Sequence, residues 1–321
     1  MADVALKGAQ IFTGLRVEMK GKERKVRTCI RNMTKTDVER VGEVLFDAFN
    51  AGASKHGYAP RMQSVQEGTS WAWAMLRHGP SERLIAEVEE RPVGICCLHP
   101  RGGHGGVGPV AVAPMFQGYG IGRELMTALL KRAEGLQSVR LFQEAFNPAS
   151  FSLYYSLNFR PAAELLDLFL DAGVRDGVDL CSNISALTLN DLDEVHAYDT
   201  PRSTLDRRAD FAYYVKWGKV FVYRRQSRVR GFLACLPGSR SVQLGPLVAE
   251  GEEEAQCLFR HAVGAFNERP CQTRVMARDY SLVRTLQEWG FKLYCLNVLM
   301  VRGAWRPGRY IEAFGRFPEG T

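Results

Sequence analysis

The sequence contains an internal duplication, and this feature constrains the fold more than any other. Four glycine and proline positions recur at one spacing of 137 residues: Gly94 and Gly231, Pro100 and Pro237, Gly108 and Gly245, and Pro109 and Pro246. Four matches at one spacing argue against coincidence. The length of 321 residues also exceeds the roughly 250 residues over which a single hydrophobic core usually extends. We therefore expect two copies of one domain that differ mainly in their loops.

The hydrophobic pattern predicts the same order of elements in each copy. A strand leads into two helices and a hairpin, followed by a strand that begins at the Gly-Pro pair. An amphipathic helix, a strand, a short helix and a last strand complete the copy. The amphipathic helices carry one apolar face each, at Ile121, Leu125, Leu129 and Ala133 and at Ala255, Leu258, Phe259, Ala262, Val263 and Phe266. This order predicts an α+β fold of the three-layer α/β type, with a mixed, mostly antiparallel central sheet in each domain.

The copies define the expected domain limits. We expect residues 28–170 to form the first domain and residues 171–321 the second, joined by a glycine-containing linker over 171–179. Residues 1–27 are polar and are expected to form a flexible tail.

Composition excludes several classes of protein. No apolar run approaches the roughly 18–20 residues that span a bilayer, and no signal-peptide pattern opens the chain, so we expect a cytoplasmic protein without a membrane partner. The 42 Lys and Arg residues outnumber the 35 Asp and Glu, but the arginines are scattered and are read as solvated surface. A nucleic-acid or other anionic partner is therefore the weaker alternative. The eight cysteines form no C-x-x-C pair, so we expect reduced thiols and no metal site. The sequence does not determine the oligomeric state, and a homodimer is one of the states compatible with it.

One glycine-rich loop in the first copy predicts a phosphate site. The strand Val110-Ala111-Val112 runs into Gln117-Gly118-Tyr119-Gly120-Ile121-Gly122-Arg123 and then into the amphipathic helix. Small residues let a ligand approach the backbone, and the first N–H groups of a helix attract anions. The glycines do not have the spacing of a dinucleotide-binding motif or of a P-loop.

Two motifs carry a resemblance to a known family. Gln117-x-x-Gly120-x-Gly122 resembles the acyl-CoA-binding signature of the GCN5-related N-acetyltransferase (GNAT) family, and Asn147 to Phe159 resembles a second block of that family. Asn158 replaces the usual glycine of this block, and asparagine tolerates the left-handed conformation expected there. The chain is thus identified as a tandem GNAT member with an intact N-terminal and a degenerate C-terminal domain.

The resemblance implies a function and a set of site residues. It implies transfer of an acetyl or other acyl group from acetyl-CoA, by direct attack, to an amine of a small molecule or peptide. In the family the pantetheine arm lies between the splayed fourth and fifth strands, and Tyr154 would protonate the departing thiolate. The implied cofactor-binding residues are Val110, Ala111, Val112, Gln117, Gly118, Tyr119, Gly120, Ile121, Gly122, Arg123, Asn147 and Ser150.

The second copy lacks the cofactor signature. Three carboxylates, Glu252, Glu253 and Glu254, stand where the diphosphate would bind, and like charges would repel it. This copy is expected to retain the fold without the cofactor, either as packing for the first domain or as a wall of the substrate cleft.

Several assignments stay open at the level of the sequence. His104 and Glu144 are the two candidates for a general base, and a water chain could replace both. Trp71 and Trp73 could belong to the core or line an acceptor pocket. A non-catalytic acetyl-CoA sensor is the alternative function, which an absence of acetylation across an amine panel would favour.

Overall fold

The computed structural model describes residues 11–19, 22–79, 81–173, 181–305 and 308–315. The chain divides into two compact units, Met1–His99 with Val107–Gly135, and Pro100–Gly106 with Leu136–Thr321. Among the described residues, no helix is both long and apolar enough to cross a membrane.

The first unit contains a sheet whose strands follow the order of the chain. The strands are β1 (Ile11–Met19), β2 (Lys22–Asn32), β3 (Glu82–Val88), β4 (Arg91–Arg101) and β5 (His104–Val112), the tip of the β4–β5 hairpin belonging to the second unit. The helices are α1 (Val38–Lys55), α2 (Val65–Arg77) and α3 (Ile121–Arg132). Strands β1 to β4 pair antiparallel with their neighbours, and β5 follows β4 in the sheet.

The second unit contains the remaining elements. Its strands are β6 (Ser138–Glu144), β7 (Arg160–Leu170), β8 (Ile184–Ala186), β9 (Lys219–Arg225), β10 (Arg228–Pro237), β11 (Val242–Ala249), β12 (Cys271–Met276), β13 (Lys292–Gly303) and β14 (Ile311–Phe314). Its helices are α4 (Pro148–Ser156), α5 (Leu192–Ser203), α6 (Arg208–Trp217), α7 (Glu252–Ala265) and α8 (Tyr280–Glu288). The strand order is β6-β13-β7-β12-β14-β11-β10-β9-β8. The sheet is mixed and mostly antiparallel, with β11 and β12 parallel, as the sequence predicts.

The amphipathic helices pack as their sequences predict. Every apolar position predicted for the first amphipathic helix is buried, and so is every one predicted for the second except Phe266, which is partly buried. A Cβ on Gly94 would lie 2.9 Å from Leu125 of α3, and a Cβ on Gly231 would lie 3.0 Å from Leu258 of α7. Both helices therefore approach their sheets at a glycine of equivalent position, which confirms the duplication.

Helix starts and turns repeat as well. A capping box closes the N-terminal side of the first helix in each copy, at Thr34 in one and at Thr188 in the other. Asn158 has a φ of 64° and Gly290, its equivalent, has a φ of 95°. The left-handed turn expected at Asn158 is thus confirmed. Both Gly-Pro peptide bonds are cis.

The N-terminal segment differs from the expected flexible tail over 1–27. Within the described residues, β1 pairs antiparallel with β2 along its whole length, with Leu15 opposite Val26. The alternation of Leu15, Val17 and Met19 with charged residues is the two-residue period of a strand, which the charge of this segment obscured.

The units do not divide at residue 170, where the sequence places the domain limit. The last long strand of the second copy, β13, pairs antiparallel with both β6 and β7 of the first copy. Strand β7 in turn pairs with β12 of the second copy. These ladders join β6, α4 and β7 to the C-terminal half. Residues 174–180, which include most of the expected linker, lie outside the described residues.

Candidate functional site

The glycine-rich loop connects β5 to α3 through a backbone that needs small residues. Gly118 has a φ of 84°, and Gly120, the residue that caps α3, has a φ of 88°. No described atom lies within 4 Å of a Cβ placed on Gly118, so one side of the loop is open. Positive φ at two alternate positions explains why glycine occupies both.

Gln117 holds the loop against the end of β5. Its side-chain Nε2 donates a hydrogen bond of 2.8 Å to the carbonyl oxygen of Val112. The backbone N–H of Gln117 donates to the carbonyl of Pro114 at 3.2 Å, which closes the short 3₁₀ turn before the loop. The conformation of the turn thus depends on the side chain that occupies the first position of the signature.

The N-terminus of α3 follows this loop directly. The N–H of Glu124 donates to the carbonyl of Gly120, which begins the intrahelical pattern. The preceding amides of Ile121, Gly122 and Arg123 have no intrahelical acceptor because a helix leaves its first N–H groups unpaired. Buried Ile121 anchors the helix, while Arg123 is exposed. Unpaired amides and the helix dipole attract anions to a helix N-terminus, and Arg123 adds a positive charge to the first turn.

Val110, Ala111 and Val112 form the last three residues of β5, directly before this loop. Ala111 is buried, and its two neighbours are partly buried. Tyr119, within the loop, is partly exposed. The first unit thus contains every predicted cofactor-binding residue from Val110 to Arg123.

The other predicted cofactor-binding residues lie at the start of α4, in the second unit. The Asn147 side chain caps this helix by accepting a hydrogen bond of 3.3 Å from the N–H of Ser150. The Ser150 hydroxyl donates back to the carbonyl of Asn147 at 3.2 Å. Both side chains therefore have a structural role in the first turn of α4.

The two tyrosines of α4 have opposite environments. Tyr154 is 7% exposed, and its ring packs edge-on against Phe159 with centroids 5.9 Å apart. Tyr155 is 52% exposed and stacks on Phe151. A shallow depression of about 760 Å³ beside Tyr155 is lined by Ala145, Pro148, Phe151, Ser152, Tyr155 and Ser156. The two tyrosines therefore differ in exposure, and Tyr154 stays the predicted acid.

The two candidate bases have different surroundings. His104 Nδ1 lies 2.8 Å from the hydroxyl oxygen of Ser138. Burial and the nearby Arg140 guanidinium lower the pKa of His104 below its ordinary value. A lowered pKa keeps the imidazole neutral near pH 7, the form that can accept a proton. Glu144 lies at the end of β6, opposite Asn297 of β13.

The tryptophans of α2 are packed against other side chains. Trp71 meets Phe49 of α1 edge-on with centroids 5.7 Å apart, and the Arg77 guanidinium lies 5.4 Å above the ring of Trp73. Both rings are partly buried.

The helix equivalent to α3 in the second copy, α7, begins with three glutamates. Glu254 is buried, and Arg225 forms an ion pair of 2.8 Å with Glu253. The Ser281 hydroxyl donates to Glu252 at 2.6 Å. These carboxylates occupy the electropositive end of α7 and would repel an anion there.

The second unit contains buried arginines that the sequence does not predict. Arg101 pairs with Asp210, Arg207 with Asp199 and Arg274 with Asp167, all with little or no exposure. The interpretation of the arginines as solvated surface is wrong at these positions. The two residues of each pair are buried and no sequence motif links them. The sequence therefore contains no local signal that identifies these pairs.

Two family models match the chain, one in each half. The model described as the acetyltransferase (GNAT) family matches residues 45–159, and the model of an acetyltransferase (GNAT) domain matches residues 195–315. A search of curated protein sequences finds no match.

Solved structures resemble the whole chain. A Pyrococcus horikoshii protein with a provisional acetyltransferase assignment has a TM-score of 0.73 and 17% identity, over 89% of this chain and 94% of that one. A GCN5-related N-acetyltransferase from Sphaerobacter thermophilus has a TM-score of 0.59 and 16% identity, over 88% and 96%. A tandem GNAT protein from the clavulanic acid biosynthesis pathway also has a TM-score of 0.59 and 16% identity, over 87% and 99%. At such identities the likeness concerns the fold alone.

Proposed function

The chain belongs to the GNAT family of acetyltransferases as a tandem member, and from this premise we propose that it transfers the acetyl group of acetyl-CoA to an amine. One observation carries the proposal: the N-terminus of α3 presents unpaired amides beside Gly118 and Gly120, whereas the N-terminus of α7 presents carboxylates. We therefore assign one acetyl-CoA to each chain, held by the first copy.

The residues present in the loop fit the diphosphate of CoA. Gly118 leaves open space on one side, and the amides of Ile121 to Arg123 supply donors that two phosphate groups can share. Arg123 adds a positive charge that remains in solvent. The edge of Val110–Val112 would hold the amide-bearing pantetheine arm through backbone hydrogen bonds.

Acetyl-CoA supplies a thioester, whose carbonyl carbon the amine nitrogen attacks. The nitrogen–carbon bond forms and the carbon–sulfur bond breaks, so the amine loses one proton and the departing sulfur gains one. Tyr154 would give the sulfur its proton. His104, neutral because of its lowered pKa, and Glu144 stay the two candidates for receiving the proton of the amine. The acceptor is assigned as an amine of a small molecule or peptide, in the cytoplasm.

A pair of matched glycine substitutions tests the proposed site. Gly118→Asp places a carboxylate beside the diphosphate, so we expect CoA binding to be lost in titration calorimetry. Gly135→Asp is the control, since Gly135 also has a positive φ (92°) and open space around its Cβ position but follows the opposite end of α3. The native protein and the control should bind one CoA per chain.

Activity is measured as thiol release from acetyl-CoA with a panel of polyamines, amino acids, antibiotics and peptides. Thiol release with at least one amine is expected. Binding of CoA without thiol release from any amine would favour the sensor, and undiminished binding by Gly118→Asp would contradict the assigned site.

A further inference from the structure

The short C-terminal strand β14 lies inside the sheet of the second unit rather than at its edge. Strands β11 and β12 pair in parallel only as far as Leu244 and Thr273. Beyond this point they separate, and β14 runs antiparallel between them. Ala313 is opposite Leu247 on one side and Val275 on the other. A gap one strand wide, about 10 Å between β11 and β12, is therefore filled by the chain itself.

This gap occupies a defined position in the repeat. Strand β11 contains the Gly-Pro pair of the second copy, and β12 follows the amphipathic helix α7. They are therefore the fourth and fifth strands of that copy. In the first copy, the family resemblance places the pantetheine arm between the fourth and fifth strands. The peptide segment of β14 thus lies where a cofactor arm would form its backbone hydrogen bonds.

A side chain at an equivalent position lies near the inserted strand. Asp279 precedes α8 as Asn147 precedes α4, and both are the capping residues of those helices. Burial raises the pKa of the Asp279 carboxyl, and the nearby backbone N–H of Glu312 opposes this rise. The residue that the family resemblance assigns to the cofactor in the first copy therefore has a peptide amide near it in the second.

The backbones of β11 and β14 are in direct contact at a glycine. A Cβ on Gly245 would lie 2.4 Å from the carbonyl carbon of Phe314, and a Cβ on Gly315 would lie 2.9 Å from the Gly245 carbonyl oxygen. Only residues without side chains allow this approach.

The side chains of β14 anchor it on both faces. Ala313 is 1% exposed and belongs to the core formed with α7 and α8. Glu312 is 14% exposed, and its carboxylate lies 3.6 Å from the guanidinium of Arg278. The positive charges of Arg207 and Arg140 also attract this carboxylate. The strand combines an apolar contact, a partly buried carboxylate and two backbone ladders.

We propose that the second cleft is a peptide-strand site whose resident ligand is β14, so that it is closed to acyl-CoA by occupation as well as by the glutamates of α7. The inference rests on the proposed function only in that the first copy is taken as the CoA-binding one. It adds a physical cause for binding one CoA per chain, and it gives the C-terminal segment a function in the sheet.

Hydrogen exchange of the full chain, with and without saturating CoA, tests this directly. We expect amides of residues 311–314 to exchange at least about a hundredfold more slowly than in an unstructured peptide. CoA should slow exchange at residues 118–123 and leave residues 245–249 and 273–276 unchanged. Fast exchange at 311–314, or a CoA effect at 245–249 or 273–276, would overturn the proposal.

The same experiment separates the two proposals. Absence of any CoA effect at 118–123, with 311–314 still protected, would contradict the proposed function and support the occupation of the second cleft. Protection at 311–314 is measured without CoA, so it does not depend on the first copy.

A substitution at the contact provides a second test. Gly245→Ala should accelerate exchange at 311–314 by at least about tenfold relative to the rest of the unit, because the new methyl group collides with β14. Gly218→Ala is the matched control, since its Cβ would lie 2.1 Å from the Cys235 carbonyl oxygen and its nearest atoms all belong to β10. Unchanged exchange at 311–314 in folded Gly245→Ala would overturn the proposal, and the native measurement decides if this variant does not fold.

Discussion

Neighbouring residues of one helix can have very different roles, and the two tyrosines of α4 illustrate this. Both lie in a block that resembles the acetyltransferase family, but only Tyr154 is buried. The sequence distinguishes them by position in the block, and the assignment of Tyr154 as the acid stays a prediction.

The first prediction concerns the hydroxyl of Tyr154. Tyr154→Phe keeps the ring that packs on Phe159 and removes the proton donor, so we expect turnover to fall by roughly ten- to a thousandfold. CoA affinity, measured by calorimetry, should change little. Tyr155→Phe is the control and should leave turnover unchanged, because Tyr155 is exposed. The opposite result for the pair would show that the wrong tyrosine was assigned.

The second prediction concerns a buried ion pair. Arg207 donates two hydrogen bonds to Asp199, of 2.8 and 2.6 Å, and both side chains are almost fully buried. Asp199→Ala leaves the guanidinium without its buried partner, so the free energy of unfolding should fall by about 3–5 kcal/mol. Asp193→Ala, which removes an exposed partner of Arg208, should have little effect. Urea unfolding measures both, and equal losses would contradict the assigned role of burial.

At the scale of elements, the sequence predicts what depends on local patterns. The faces of α3 and α7, the capping boxes at Thr34 and Thr188 and the turn at Asn158 follow from side-chain period and backbone preference. The partners of β7 and β13 do not. Strands of two similar copies carry similar apolar patterns, so a pattern alone does not determine which strands pair. The insertion of β14 also lacks a local signal.

The third prediction separates the two roles of Asn147. Asn147→Ala removes the capping oxygen of α4, and the free energy of unfolding should fall by about 1 kcal/mol. Asn147→Asp is the matched variant because it retains a side-chain oxygen at the capping position of α4, and should stay near native stability. Thermal unfolding compares the two. Weaker CoA binding by the stable Asn147→Asp would support the proposed cofactor contact, and unchanged binding would leave Asn147 with the cap alone.

At the scale of the whole molecule, duplication does not yield two separable halves. The sequence predicts two copies, and both family models find them. In the second unit, however, β13 of the second copy lies between β6 and β7 of the first. A linker in the sequence is therefore compatible with strands that are shared between the copies, because backbone pairing, not chain order, determines the compact units.

The last prediction follows from this sharing of strands between the copies and concerns residues 28–170 expressed alone. Removal of β13 leaves facing edges of β6 and β7 without partners, and it uncovers the buried leucines Leu141, Leu165 and Leu168. Unpaired edges and apolar surface promote aggregation, so we expect this fragment to be poorly soluble or inactive. Co-expression of residues 181–321 supplies β12 and β13 and is the control, which should restore solubility and thiol release. If residues 28–170 alone were soluble, bound CoA normally and acetylated amines at the rate of the full chain, the second copy would have no part in forming the active protein.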